Sequence, residues 1–383
     1  MAYTPTPMDD QILSLPDLMS ECLPAFTADI RTLIGPALAG DLRQVYIIGC
    51  GDSHMAAVGC ELAFCSLAGV PCRAMAALHF ARYTAPFLAD PQGTLVIGVS
   101  TSGEVARTLE GLRLAHRAGA RTVALTANPS SRLALSAHYV LSAKISPSKD
   151  PSPAPGVRSY MASLLALDLA AVRIGEASGF LSREAALLAR DELRSLSEAL
   201  AAAAETGFDR TERWVESSMD VGEFVFLGGG PAYGTALYGA AKMFEASGDS
   251  ADGQDLEEWA HLQYFAREVA TPTVIIDCRG RSYGRACEVA DAARAIGRRV
   301  LGVLPENETH IASRAELVFP LSAAIREAFA PLLYSVPVMC LASERAKVLG
   351  ETPYRGFAGG RSRSEGGGVS RVQSSALTEE AEG

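Results

Sequence analysis

In the first part of the chain, short apolar runs alternate with segments of helical periodicity. The runs that the pattern predicts as strands are residues 45–48, 71–76, 94–99, 122–126 and 139–142. Strands that are apolar throughout, with helices between them, are typical of a parallel sheet that is covered on both faces. The pattern therefore predicts a doubly wound α/β domain.

A Pro- and Ser-rich break at 145–155 and a long Ala/Leu-rich helical pattern at 159–204 precede a second alternation. Its predicted strands are 224–227, 273–277, 299–303 and 317–320, and its predicted helices are 233–247, 284–296 and 324–346. We expect two tandem flavodoxin-like domains, each with three α/β/α layers and a mainly parallel sheet. The predicted divisions are a helical segment at 1–40, domains at 41–205 and 206–357, and a Gly/Ser/Arg-rich tail at 358–383.

The two predicted domains begin alike. VYIIGCGDSH starts at Val45 and FVFLGGGPAY starts at Phe224, and each reads as a strand, a glycine turn and the start of a helix. An internal duplication explains this likeness. Neither turn has the third glycine of a dinucleotide fingerprint, so a nicotinamide site is not favoured.

Composition narrows the range of partners. The 383 residues are 48% hydrophobic and 20% charged, with a net charge of −10, and no basic cluster suits nucleic acid. No apolar run approaches the roughly 20 residues that span a bilayer, and the first residues lack a signal-peptide pattern, so a cytoplasmic protein without a membrane partner is expected. The eight cysteines lack paired CxxC spacing and are expected to be reduced.

Residues 96–108, VIGVSTSGEVART, carry the clearest chemical signal. Ser100, Thr101 and Ser102 offer hydroxyl groups directly after an apolar strand, and Gly103 allows close backbone approach. A helix predicted over about 104–118 would add its first-turn amides, so the stretch indicates a site for a phosphorylated small molecule. The alternative is an ordinary strand–loop–helix junction in which a hydroxyl group caps the helix.

Three segments of the first half resemble the double sugar-isomerase-domain (SIS) family. This family includes the isomerase half of glutamine–fructose-6-phosphate aminotransferase and the fructosamine-6-phosphate deglycases. The matching segments are the glycine turn at 49–53, the loop at 99–104 and the turn Gly-Val-Arg-Ser at 156–159. The resemblance implies that the substrate-binding residues are Gly51, Asp52, Ser53, Ser100, Thr101, Ser102, Glu104, Val157 and Ser159.

The resemblance continues in the second half and implies catalytic residues. The segment 236–245 is similar to the one that holds the family's catalytic carboxylate, which places that role on Glu245. Glu-Glu-Trp-Ala-His at 257–261 is similar to a segment whose histidine opens the sugar ring and reaches the neighbouring subunit's site. This implies a role for His261 and a homodimer with shared active sites.

Aldose–ketose isomerisation gives these residue types a chemical reason. A single base moves a proton between adjacent carbons through an enediol, and a partly desolvated Glu245 suits that task. His261 can pass protons to ring and carbonyl oxygens, and the reaction requires neither a metal nor an organic cofactor. Lys242 lies three residues before Glu245 and is expected to pair with it or to contact substrate, the alternative being a solvated surface lysine.

Departures from the family pattern shape the functional expectation. The chain has no segment resembling a glutaminase domain, and the last lysine is Lys347, whereas the family's aminotransferases carry a Schiff-base lysine in a terminal tail. We therefore expect an isomerase that acts on an amino- or amine-linked 6-phosphosugar and releases the amine, as a deaminase or deglycase does. The alternatives are aminosugar-phosphate synthesis from a ketose phosphate and free ammonia or amine, and a non-catalytic phosphosugar sensor.

Overall fold

The computed structural model describes residues 5–150, 152, 154–322 and 325–357, and the predicted tail 358–383 lies outside them. The helices are α1 (Pro7–Leu13), α2 (Leu15–Leu33), α3 (Pro36–Ala39), α4 (Asp52–Ala63), α5 (Ala77–Tyr83), α6 (Ala106–Arg117), α7 (Arg132–Leu135), α8 (Arg158–Ser178), α9 (Arg183–Val215), α10 (Pro231–Ala246), α11 (Leu256–His261), α12 (Tyr283–Ala295) and α13 (Ala330–Leu349). The strands are β1 (Gln44–Gly49), β2 (Cys72–Ala76), β3 (Thr94–Val99), β4 (Arg121–Thr126), β5 (Tyr139–Ser142), β6 (Glu223–Gly228), β7 (Ser250–Asp255), β8 (Pro272–Ile276), β9 (Arg299–Pro305) and β10 (Leu317–Leu321).

Two parallel five-stranded sheets organise these elements. The first has the order β2-β1-β3-β4-β5, and the second has the order β7-β6-β8-β9-β10. All neighbouring strands in both sheets run parallel. Because the two orders are the same, strand for strand, the predicted duplication and the flavodoxin-like topology are confirmed.

The chain divides into two compact units. The first unit combines Leu18–Ser146 with Ser159–Arg194, and the second unit combines the described parts of Met1–Asp17, Pro147–Arg158 and Ser195–Gly356. The divisions predicted at residues 40 and 205 stay predictions.

Contacts of α1 show why its residues group with the second unit. The Asp9 carboxylate is fully buried, accepts a hydrogen bond from Ser343 Oγ at 2.6 Å and pairs with Lys347 Nζ at 2.8 Å. Both partners lie on α13, more than 300 residues later in the chain. Local sequence patterns cannot predict contacts between residues so far apart in the chain.

Each sheet has its own apolar core. In the first unit Ile48 and Val96 on the strands pack with Leu109 and Leu112 of α6. In the second unit the core includes Val225, Leu227, Ile275, Ala286, Val289, Trp259, Val300 and Leu304. The apolar strand runs that predicted the sheets are therefore the residues that hold them together.

Strand β7 is a strand that the sequence pattern missed. Its sequence, Ser-Ala-Asp-Gly-Gln-Asp, is polar, and it lies at the edge of the sheet, where it pairs with β6 alone. A Cβ atom at Gly253 would lie 2.7 Å from the Leu237 Cα atom, so α10 packs directly against this strand's backbone. An edge strand with no apolar alternation gives no periodic signal.

Two helix predictions also change in detail. The single pattern at 159–204 is two helices, α8 and α9, separated near Gly179, whose φ of +82° ends the helical conformation. The helix predicted over 324–346 begins later, at Ala330, after a 3-10 turn at Glu327–Phe329. Residue 324 itself lies outside the described residues.

Candidate active site

The two glycine turns have the same backbone geometry. A Cβ atom at Gly49 would lie 2.8 Å from the backbone carbonyl carbon of Ser53. A Cβ atom at Gly228 would lie 2.3 Å from the carbonyl oxygen of Ala232, again four residues further along the chain. Gly51 and Gly230 have φ values of +56° and +55°, and each immediately precedes a helix. Glycine is required by close approach at the first position and by the left-handed backbone at the second. The turns bring the N-termini of α4 and α10 to the carboxyl ends of β1 and β6.

Asp52 and Ser53 occupy the first turn of α4, and both are half-buried. They follow a strand end in a parallel sheet, the place where ligands bind in open α/β sheets. His54, next in the chain, is also half-buried, and burial lowers its pKa. The assignment of Gly51, Asp52 and Ser53 to substrate binding stays a prediction.

The loop after β3 is the segment that the sequence predicts to bind phosphate. Ser100 is buried, and its Oγ accepts a hydrogen bond from the Gly103 N–H at 3.1 Å. Thr101 and Ser102 are exposed. Helix α6 begins at Ala106, two residues later than predicted, and no side chain caps its N-terminus at Val105. The first-turn N–H groups of α6 are therefore not satisfied by a capping side chain, which suits an anionic ligand.

Gly103 fixes the shape of this loop. Its φ is +68°, and a Cβ atom there would lie 2.0 Å from Ser131 Oγ. Its carbonyl accepts a hydrogen bond from the Leu133 N–H at 3.1 Å, and Ser131 caps α7 by accepting from the Ala134 N–H. The loop therefore packs against the start of α7, and this cap accounts for Ser131 without a ligand.

Glu104 is held by Arg132. Its carboxylate accepts hydrogen bonds from the Arg132 N–H at 3.0 Å and from Arg132 Nε at 2.6 Å, and its carbonyl accepts one from Nη2 at 3.1 Å. These bonds lower the pKa of Glu104, and the bond from the Arg132 backbone N–H has the largest effect. In this structure Glu104 braces the loop, and its predicted contact with substrate stays untested.

The turn at 156–159 is held by its backbone. Val157 is fully buried, and the Val157 and Arg158 N–H groups donate to Gln11 Oε1, each at 3.2 Å. The Gly156 carbonyl accepts a hydrogen bond from the Tyr238 hydroxyl at 2.9 Å. Ser159, in the first turn of α8, is half-buried. Gln11 and α10 thus fix the turn that the sequence assigned to the sugar.

Lys242 and Glu245 form an ion pair on α10. The Lys242 side chain is fully buried, whereas the Glu245 side chain is 29% exposed. Lys242 Nζ also lies 4.9 Å from the centre of the Tyr238 ring, one helical turn earlier. The surface-lysine alternative is therefore wrong, because the ammonium group is enclosed between an aromatic ring and a carboxylate. The pair holds a partly desolvated carboxylate at a defined position.

His261 is exposed at the end of α11. Its side chain is 68% exposed, and Nε2 lies 3.0 Å from Glu257 Oε1. Glu257 also pairs with Arg285 at 2.7 Å. Both contacts lower the pKa of Glu257, and the hydrogen bond with His261 has the larger effect. Among the described residues His261 contacts Glu257 rather than Glu245.

Lys347 does not replace the family's Schiff-base lysine. Its ammonium group lies 2.8 Å from Asp9 and 2.5 Å from Glu344. Burial alone would lower the pKa of Lys347, but the bonds to these two carboxylates outweigh it and raise the pKa. A protonated, paired ammonium group is not a nucleophile. In the structure Lys347 is a link between α13 and α1.

Three residues around these groups gave no functional signal in the sequence. Gln11 lies 146 positions before Val157, Tyr238 is predicted as an ordinary helix residue, and Arg132 is predicted as a loop residue. The spacing of Tyr238, Lys242 and Glu245 at i, i+4 and i+7 on one helix face is the pattern that indicates their grouping.

Neither a metal cluster nor a membrane helix is found in the described part of the chain. No group of three or more His, Cys, Asp or Glu side chains there is arranged to hold a metal ion. No helix there combines the length and the apolar character needed to cross a membrane.

Comparison with known proteins identifies a family domain within the chain. Residues 41–173 match the SIS domain family. The chain contains an SIS domain. This match confirms the resemblance seen in the glycine turn at 49–53, the loop at 99–104 and the turn at 156–159.

Among curated proteins, a similar one is the isomerising glutamine–fructose-6-phosphate aminotransferase of Gloeobacter violaceus. It is 30% identical over 330 residues, which cover 85% of this chain and 52% of the relative. A homologue of the same name from Methanothermobacter thermautotrophicus is 28% identical over 79% of this chain and 48% of the relative. The SIS-domain protein thus spans about half the length of these relatives.

Solved structures share the tandem fold. The C-terminal domain of the glucosamine–fructose-6-phosphate aminotransferase of Francisella tularensis superposes with a TM-score of 0.81 at 20% identity, covering 91% of this chain and 98% of that one. A glucosamine-6-phosphate deaminase from Thermotoga maritima superposes with a TM-score of 0.70 at 20% identity, covering 91% and 97%. At this identity the likeness establishes the fold of the SIS-domain protein.

Proposed function

We propose that this SIS-domain protein is an enzyme that isomerises an amino- or amine-linked 6-phosphosugar and releases the amine. The observation that carries the proposal is the Lys242–Glu245 pair, a partly desolvated carboxylate beside a fully buried ammonium group. A pure phosphosugar sensor needs an anion cradle but no proton-transfer group. The names of the similar proteins, which include aminotransferases and a deaminase of phosphosugars, support this substrate class.

In the proposed reaction the loop around Ser100, Thr101 and Ser102 binds the phosphate group. Glu245 takes a proton from the carbon that carries nitrogen and returns it to the adjacent carbonyl carbon, whose oxygen becomes a hydroxyl group as the nitrogen gives up its own proton. The carbon that carries nitrogen becomes a C=N group, which water hydrolyses to C=O while the amine leaves. Each proton that Glu245 removes is returned to the product, so the carboxylate is regenerated.

His261 has the proposed role of passing protons to and from the sugar oxygens, and a second copy of the chain is part of the proposal. Leu262 and Phe265, which follow His261, are 61% and 75% exposed. Exposed large apolar residues beside a candidate catalytic histidine support an interface there. Sedimentation should therefore give a dimeric mass, and a monomer with full activity would remove His261 from a neighbouring site.

The test begins with thermal stability of the purified protein in the presence of 6-phosphosugars and their amine adducts. Ligands that stabilise it are then followed by proton NMR in D2O. Deuterium entering at C1 or C2, or release of the amine, is expected. Stabilisation without exchange or release would instead show a binding protein and contradict the enzyme proposal.

Two variants separate binding from chemistry. Glu245→Gln should abolish turnover and keep phosphosugar affinity within about tenfold, about 1.4 kcal/mol. Glu216→Gln, which changes an exposed glutamate of the same unit, serves as the control with unchanged turnover. Full activity in Glu245→Gln would refute the assignment. The double change of Ser100 and Ser102 to alanine should weaken binding instead, since each hydrogen bond to a charged group contributes about 1.5–3 kcal/mol.

A further inference from the structure

A small basic pocket lies beside the C-terminal end of α6 in the first unit. Its volume is about 250 Å³, and it is lined by Arg113, His116, Arg117 and Ser136. The three basic residues are spaced i, i+3 and i+4 on α6 and therefore share one face of the helix. No carboxylate of the described residues lines this pocket, although the whole chain has a net charge of −10. The pocket is therefore a local site of positive charge.

The imidazole ring of His116 is held in place by His138, which directly precedes β5. The two rings are stacked, with their centres 4.0 Å apart and their planes 7° from parallel. The Thr122 N–H donates to His138 Nδ1 at 3.2 Å, and the His138 N–H donates to Thr122 Oγ1 at 3.0 Å. Strand β4 thus fixes His138, and His138 in turn orients His116. No described residue forms a hydrogen bond with the ring nitrogens of His116.

Arg113 is held by a hydrogen bond that leaves most of its donors available. Its Nε donates to Ser136 Oγ at 3.1 Å, and Ser136 Oγ donates to the Arg132 carbonyl at 2.8 Å. Within the described ranges no ion pair joins Arg113 to a carboxylate. A guanidinium group bound through Nε alone keeps both terminal NH2 groups available to an anion.

The helix dipole explains only part of this arrangement. Its negative end favours cationic side chains in the last turn of α6, whether or not a ligand is present. That interaction requires neither a cavity nor the contacts from β4 and from the end of α7 that orient His116 and Arg113. Donors fixed around a cavity that lacks negative charge are typical of a preorganised anion site, because binding then costs little side-chain entropy.

We propose that this pocket is a second phosphate-binding site, for a phosphate group that is free or carried by a small molecule. Two N–H groups of Arg113 can bind two phosphate oxygens in parallel, and His116 supplies a further donor. A cavity of about 250 Å³ admits a phosphate group together with part of the molecule that carries it. The 12 residues of α6, about 18 Å in length, separate the pocket from the loop at Ser100–Ser102. The inference uses no residue of the proposed reaction and goes beyond it.

The test measures phosphate binding after the predicted loop has been weakened. In the double variant Ser100→Ala and Ser102→Ala, isothermal titration calorimetry with inorganic phosphate and with glucose 6-phosphate should still show binding. The tighter-binding probe identifies whether the free or the carried phosphate group is the ligand. Adding Arg113→Gln should weaken this binding at least tenfold. Adding Arg183→Gln, which changes an exposed arginine of the same unit, should leave it within twofold.

Proton NMR locates the bound phosphate. The chain has six histidines, so the ring signals of His116 can be assigned by their loss in His116→Asn. Phosphate should shift these signals in the double-serine variant and should no longer shift them once Arg113→Gln is added. His116→Asn should also weaken phosphate binding several-fold, and it replaces Arg113→Gln if that variant does not fold. Signals of His116 that stay unshifted, or equal affinity in both pocket variants, would overturn the proposal.

Failure of the proposed function gives a different pattern. In that case the serine substitutions leave phosphate affinity unchanged, whereas Arg113→Gln in the wild-type background removes it. Complete loss of phosphate binding in the double-serine variant, with no effect of Arg113→Gln on the wild type, would refute the pocket alone.

Discussion

Replacing Gly103 by alanine should disrupt the proposed anion-binding loop at 100–103 for two separable reasons. The backbone φ of +68° is unfavourable for a residue with a side chain, at a cost of about 1–2 kcal/mol. The new Cβ atom would also lie 2.0 Å from Ser131 Oγ, and relief of such overpacking costs about 1–3 kcal/mol more. We therefore expect a loss of about 2–5 kcal/mol in the free energy of unfolding of the first unit.

Gly119 offers a matched control at the other end of α6. Its φ is +94°, but a Cβ atom there would meet nothing within 4 Å. Gly119→Ala therefore has only the conformational cost of a positive φ and no steric clash. It lies in the same unit and next to the same helix as Gly103. Urea unfolding followed by circular dichroism gives both free energies. Fluorescence would be a poorer probe, because both tryptophans, Trp214 and Trp259, lie in the second unit.

The contact with Ser131 also predicts a loss of function that the control does not share. Since relief of the clash must move the loop or α7, Gly103→Ala should bind inorganic phosphate and 6-phosphosugars at least tenfold more weakly than Gly119→Ala. Equal destabilisation by the two substitutions, with unchanged phosphate affinity, would refute the reasoning about this loop.

Three further predictions concern individual side chains. Burial raises the pKa of Asp277 from 3.8 to about 6, so its contribution to stability is complete below about pH 4 and is lost as the pH rises through 6. The free energy of unfolding of Asp277→Asn should therefore exceed that of the wild type by up to about 3 kcal/mol at pH 8 and by little at pH 4. Equal shifts of the urea midpoint at the two pH values would contradict this. Arg132→Gln frees Glu104 and should weaken phosphate binding several-fold by calorimetry, whereas unchanged affinity would show that the loop does not need this brace. Tyr238→Phe loses the hydrogen bond to the Gly156 carbonyl and should raise KM more than it lowers kcat; the reverse pattern would place Tyr238 in the chemistry.

The backbone geometry of the glycine turns and of the hydroxyl-rich loop could be predicted because its signals are local. The glycine turn at 49–51 and the loop at 100–103 combine a strand end, a glycine and a helix start within a few residues. Close approach and left-handed backbone impose glycine there, so the sequence reveals the geometry. The duplicated turn at 228–230 repeats the same constraint.

The sequence by itself determined the two parallel sheets, the duplication and the glycine positions of the turn at 49–51 and of the loop at 100–103, because apolar periodicity and backbone sterics act over short stretches of chain. Tertiary structure alone decided that polar β7 completes the second sheet, that Lys242 is enclosed beside Glu245, and that Gln11 holds the turn at Arg158. These outcomes depend on which distant segments pack together. A side chain's burial and charge balance arise from those neighbours, and no local pattern specifies them.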